Sequence, residues 1–105
     1  MILIIGGKYQ GKHDFAAEHF PDKSVTEFNN VLKADGGVQS FIEKSRDDET
    51  LLAAVVIADE NSSGIVPDEL SQIHYREEYN RSLTLLAEKA DEIYRVFCGI
   101  GMKIK

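Results

Sequence analysis

The chain opens on a short apolar run, Met1-Ile2-Leu3-Ile4-Ile5, that passes without a spacer into Gly6-Gly7-Lys8-Tyr9-Gln10-Gly11-Lys12-His13. An apolar strand that ends in a glycine-bounded turn must fold back along the face of a sheet, and the residues after the turn read as a helix. The spacing G-x-x-x-x-G-K is the phosphate-binding pattern in the strand-to-helix setting it requires. Glycines let the backbone close around an anion so that successive N–H groups face it, and a helix starting near Lys12 turns its positive dipole end the same way. Gly6, Gly7, Lys8, Tyr9, Gln10, Gly11, Lys12 and His13 are therefore the candidate nucleotide-binding residues, with the Lys12 ammonium reaching the β- and γ-phosphates. An ordinary glycine-rich turn between strand and helix is the plain alternative. The pattern closes on His13, where Ser or Thr is expected.

The rest of the chain supplies the partners such a strand needs. Phe15, Ala16, His19 and Phe20 fall at helical spacing and Pro21 stops the run, which predicts a helix over 12–20. A short strand is expected over 23–28, then a loop through Asn29-Asn30 and Asp35-Gly36-Gly37, and a second helix over 37–47 from Val38, Phe41, Ile42 and Ser45. The continuously apolar segment 51–58 reads as a central strand covered on both faces, followed by turn residues 59–64. Asp68 can cap a long helix carrying Leu70, Ile73, Leu83, Leu86, Ala87 and Ala90. A strand over 93–97, a turn at Gly99-Ile100-Gly101 and a last strand over 102–105 complete the order. Strands alternating with helices predict an α/β fold in three layers, mostly parallel, ending in an antiparallel hairpin.

At 105 residues the chain is expected to be a single domain, 1–105. A formal net charge of −6 argues against nucleic acid as a partner. With Cys98 as the one cysteine, an intrachain disulfide and a four-cysteine zinc framework are both excluded. The N-terminal apolar run is too short for a signal peptide or a membrane span, so a cytoplasmic protein without membrane attachment is expected.

Asp59-Glu60, Gly64-Ile65-Val66-Pro67 and the closing Gly99-Ile100-Gly101-Met102-Lys103-Ile104-Lys105 resemble the adenosylcobinamide kinase / adenosylcobinamide-phosphate guanylyltransferase family of P-loop proteins, and His74-Tyr75-Arg76 and Arg81 fall where that family tends to carry His-Phe-Arg and Arg. The resemblance covers about residues 1–13 and 55–105. It implies ATP or GTP as the nucleotide, Mg²⁺ as the metal, phosphoryl transfer to a cobinamide-like small molecule, and leaves a homo-oligomer open. Several departures bear on this. The family is longer between the first helix and the strand near Val25, where it carries the histidine that accepts the guanylyl group, so the guanylyl-transfer step is expected to be lost. His13 stands in place of the Ser whose hydroxyl binds Mg²⁺, which weakens the expected metal site because Mg²⁺ selects hard oxygen ligands. Asp59 stands in place of the family's Asn, Ser62 in place of a Gly, and Leu83-Thr84 in place of Asn-Gln.

Lys12, Glu27 and Asp59 are the candidate catalytic residues: Lys12 for phosphate charge, Glu27 or Asp59 for orienting metal or acceptor. Against them stand a solvated lysine, an exposed strand-end carboxylate and a solvated turn. Tyr75 and Tyr79, four apart, read as a packed helix face, His74 as a surface histidine, Cys98 as a small buried strand residue, and Asp47-Asp48-Glu49 as a solvated helix end. Three functions fit these residues: a cobinamide kinase-like transferase, a nucleotide- or anion-binding module without catalysis, and a structural partner that keeps the fold.

Overall fold

Strand β1 (Ile2–Gly6) sits in the middle of a five-stranded sheet, flanked by β3 (Val55–Asp59) and β4 (Glu92–Phe97), with β2 (Val25–Glu27) and β5 (Ile100–Lys103) at the edges in the order β2-β3-β1-β4-β5. The structure is a computed structural model that describes residues 1–7, 10–34, 36–47, 54–59 and 70–105, and their side chains except those of 46–47 and 70–76. Strands β2, β3, β1 and β4 are parallel, and only β5 runs against its neighbour, as expected for a mostly parallel sheet closed by a hairpin. Ile2 pairs with Val55 and Gly6 with Asp59, which brings the glycine loop and the end of β3 to the same carboxyl edge of the sheet.

Alternation along the central strands feeds both faces of the sheet. Ile2, Ile4, Val55, Ile57 and Val96 pack on one side with Phe15 and Ala16 of α1 (Lys12–His19). On the other side Leu3, Val56, Ala58 and Ile93 meet α2 (Phe28–Lys33), α3 (Gly37–Asp47) and α4 (Leu70–Lys89) through Phe28, Val31, Val38, Ile42, Tyr79 and Leu86. Leu3, Ile4, Val55 and Val56 are at most 1% exposed, and burial of each is worth roughly 1.5–3 kcal/mol. That two-sided burial explains why the runs 1–5 and 54–58 are apolar at every position rather than at every second one.

Four expectations need correction. Asn29-Asn30 lie in helix α2, not in a loop, because burial of Phe28 and Val31 outweighs the local preference of asparagine for turns. The second strand is correspondingly shorter, Val25–Glu27. The last strand begins at Ile100, so the hairpin turn is the pair Cys98-Gly99, with φ of 51° and 78°. Positive φ at both central residues is the turn whose twist matches paired strands. Cys98 is thus exposed in a turn and not buried in a strand. Helices 12–19 and 37–47 stand where the spacing placed them. Residues 51–53, 60–69 with the Asp68 cap, and Asp48-Glu49 lie outside the described residues.

Candidate functional site at the carboxyl edge of the sheet

Lys12 is the first residue of α1, and the residue before it, Gly11, caps the helix at φ 85°, a left-handed conformation that glycine adopts without strain. From there the lysine stem runs back over the end of β1. Gly6 makes this path available: a Cβ on Gly6 would stand 3.4 Å from Lys12 Cγ and Cδ and 2.6 Å from the Val96 carbonyl oxygen. Because Gly6 pairs with Asp59, a lysine crossing Gly6 arrives at the Asp59 side chain. Lys12 Nζ lies 2.7 Å from Asp59 Oδ1 and donates a hydrogen bond to the Gly7 carbonyl oxygen at 2.6 Å. The lysine side chain is only 5% exposed. It is neither a solvated helix-start lysine nor an ammonium standing free in the loop.

One residue further, His13 points across to β2. Its Nε2 lies 3.2 Å from Glu27 Oε1, both side chains being largely exposed. Glu27 is the last residue of β2 and the cap residue of α2, so the strand that ends at the sheet edge delivers its carboxylate opposite the start of α1. Behind this pair Tyr79 of α4 is buried, packs edge-on against Phe28 with ring centroids 5.0 Å apart, and donates its hydroxyl to the Asp59 carbonyl oxygen at 2.8 Å. Lys12, His13, Asp14, Glu27, Asp59 and Tyr79 all border one cavity of about 430 Å³.

The hairpin turn completes the loop's support. Cys98 N–H donates to the Gln10 side-chain oxygen at 2.7 Å, and Gly99 N–H donates to the Gln10 carbonyl oxygen at 2.8 Å. Gly99 also lies so close to Gly11 that a Cβ on Gly11 would stand 3.3 Å from the Gly99 Cα. The β4–β5 turn is therefore packed onto the second half of the glycine loop.

The residue after Lys12 makes the cavity a weak Mg²⁺ site: its side chain is an imidazole in contact with Glu27, and Asp59 is engaged by Lys12. Mg²⁺ requires a near-octahedral shell of oxygens and accepts nitrogen poorly.

This geometry gives weight to a likeness in sequence. The chain is similar to CobU. That protein, the bifunctional adenosylcobalamin biosynthesis protein of Salmonella typhimurium, is 35% identical over 112 residues, which take in 85% of this chain and 62% of the relative. No family model matches. The chain thus spans less than two thirds of the length of the relative it matches, and because 85% of 105 residues is fewer than 112, the relative carries additional residues within the aligned span. The likeness supports a relationship to CobU.

Of the candidate residues, Gly6, Gly7, Gln10, Gly11, Lys12, His13, Glu27 and Asp59 gather at this edge, while Lys8, Tyr9 and Glu60 lie outside the described residues, as do the side chains of His74 and Tyr75. Among the described residues no helix is long and apolar enough to cross a membrane. Sequence reasoning named Gln10 as a loop residue but missed that its side chain holds the Cys98-Gly99 turn, because a contact across 88 positions leaves no local trace. It read Tyr79 as packing, which its burial supports, but its hydroxyl contact with Asp59 has no periodic signature.

Proposed function

We propose that this chain is a CobU-like nucleotide-binding protein that takes the phosphates of ATP or GTP on the loop of residues 6–13, with Lys12 as the charged contact. The observation that supports this most directly is the placement of Lys12. Its ammonium is held at the carboxyl edge of a parallel sheet, beside the cavity and one residue past a left-handed Gly11, where the first N–H groups of α1 have no partner within the helix. Open α/β sheets bind ligands at this edge. A cobinamide-like acceptor would enter the same cavity, between Glu27 and Tyr79.

Because an imidazole stands where a hydroxyl would bind Mg²⁺, phosphoryl transfer at this site is expected to be weak. Glu27 and Asp59, if they served transfer, would have to leave their present partners His13 and Lys12. The second reading is an active cobinamide kinase-like transferase; what favours it is that Lys12, Glu27 and Asp59 all border the same cavity. Calorimetric titration of the protein with ATP and GTP, each with and without Mg²⁺, tests binding, and release of labelled phosphate onto adenosylcobinamide tests transfer. Binding that Lys12→Ala abolishes, without measurable transfer, is the expected result. Absence of binding to either nucleotide refutes the proposal.

A further inference from the structure

We propose that Asp59 is a built-in competitor for the ligand's phosphate: its carboxylate holds the Lys12 ammonium, and only a diphosphate- or triphosphate-bearing ligand displaces it. The inference rests on the reading of residues 6–13 as a phosphate site and concerns how that site is regulated.

Three observations carry it. The ammonium has two short contacts, to Asp59 Oδ1 at 2.7 Å and to the Gly7 carbonyl oxygen at 2.6 Å, so an incoming anion finds no unsatisfied donor hydrogen waiting except a third N–H. The pair is unequal in exposure, with the lysine side chain 5% and the Asp59 side chain 38% accessible. The carboxylate is therefore the movable partner: it can swing toward water without burying a charge, while the lysine stem stays packed over Gly6. Asp59 is also held through its backbone independently of the ion pair, since Tyr79 donates to its carbonyl oxygen. Losing the ion pair therefore leaves the strand end fixed.

The number and reach of an anion's oxygens decide what can displace it. Among the described residues that border the cavity, Asp14, Glu27 and Asp59 stand beside one lysine, so these side chains carry an excess of negative charge while the pair is closed. Orthophosphate would exchange one anion for another at the ammonium and then face the displaced carboxylate at short range. A diphosphate or triphosphate brings several oxygens, which reach the helix N-terminal amides as well as the ammonium, and these added contacts offset the repulsion. Asp59 thus excludes small anions and admits polyphosphates, without a metal ion entering the selection.

The test is calorimetric titration with inorganic pyrophosphate and with orthophosphate, in metal-free buffer, of the wild type, Asp59→Asn and Lys12→Ala. Wild type is expected to bind pyrophosphate and not orthophosphate. Asp59→Asn keeps the size of the side chain and removes its charge; it should bind pyrophosphate about tenfold more tightly, between the effects of exposed and of buried ion pairs, and gain measurable orthophosphate binding. A purely structural role for Asp59 predicts the opposite sign, since damage to the site weakens binding. Should the Asn variant fail to fold, Asp59→Ser removes the same charge and is read in the same way. Unchanged or weaker pyrophosphate binding in the neutral variants, with binding still lost in Lys12→Ala, overturns the competitor and leaves the phosphate site standing. Equal binding by wild type and Lys12→Ala removes the phosphate site itself, and the competitor with it.

Discussion

His13 Nε2 lies 3.2 Å from Glu27 Oε1, joining the first turn of α1 to the end of β2 across the mouth of the cavity. An imidazole in that position occupies the carboxylate that would otherwise face a metal ion beside the phosphates. Nucleotide affinity of the wild type is therefore expected to change little when Mg²⁺ is removed with a chelator. His13→Ser supplies a hydroxyl and frees Glu27, so its affinity should fall clearly on chelation. Titration of both proteins with and without Mg²⁺ checks this, and strong Mg²⁺ dependence in the wild type would defeat the account of His13.

Gly6 is constrained by space and not by conformation. An added Cβ would meet the Val96 carbonyl oxygen at 2.6 Å, and that oxygen belongs to a paired strand that cannot easily retreat. Gly6→Ala should destabilise the fold by about 1–3 kcal/mol, as overpacking of a tight interior does, and should also push the Lys12 stem off its path. Denaturant unfolding measures the first effect and nucleotide titration the second. A change in stability below about 0.5 kcal/mol would show that the strands part readily at this point.

The Cys98-Gly99 turn offers a prediction of the opposite sign. Cys98 has φ 51°, a left-handed conformation that Asn tolerates better than Cys. Cys98→Asn should stabilise the hairpin by a few tenths of a kcal/mol, since Asn-Gly is the preferred pair for a turn with two positive φ angles. Gly99→Ala, with nothing within 4 Å of the added carbon but φ at 78°, should cost roughly 1–2 kcal/mol through backbone strain alone. Because Gln10 receives both turn N–H groups, the alanine variant should also weaken nucleotide binding. Thermal unfolding of the pair gives the signs, and loss of stability in Cys98→Asn would contradict the turn geometry.

At the opposite end of the sheet, the Met1 ammonium donates to Asp91 Oδ2 at 2.5 Å. That hydrogen bond, and then the charge behind it, hold the Asp91 carboxyl below its ordinary value of 3.8. A carboxyl depressed in the folded state contributes stability that is present above the unfolded value and is lost as the pH falls through the folded one. Melting temperature measured downward from about pH 6 should therefore decline less steeply below about pH 4 in Asp91→Asn than in the wild type. Parallel acid limbs in the two proteins would show that the Met1–Asp91 pair contributes nothing.

Local pattern determined much of this protein. Two uninterrupted apolar runs announced strands buried on both faces, the glycines of 6–11 announced a turn into a helix at Lys12, and Val38, Phe41 and Ile42 announced α3, because each signal is read within a few residues. The pattern also named Lys12, Glu27 and Asp59 as candidates, and the register of Gly6 with Asp59 brings the first and the last of them together. Only the tertiary structure decided how these charges are spent. Whether Lys12 faces solvent or Asp59, whether His13 stands alone or against Glu27, and whether Gln10 is idle or holds the β4–β5 turn all depend on which strands are neighbours. Strand order follows from summed burial over the whole core, a long-range quantity that no local window of residues contains. Helix α2 makes the same point: Asn29 and Asn30 favour a turn by themselves, and the burial of Phe28 and Val31 against the sheet overrules them.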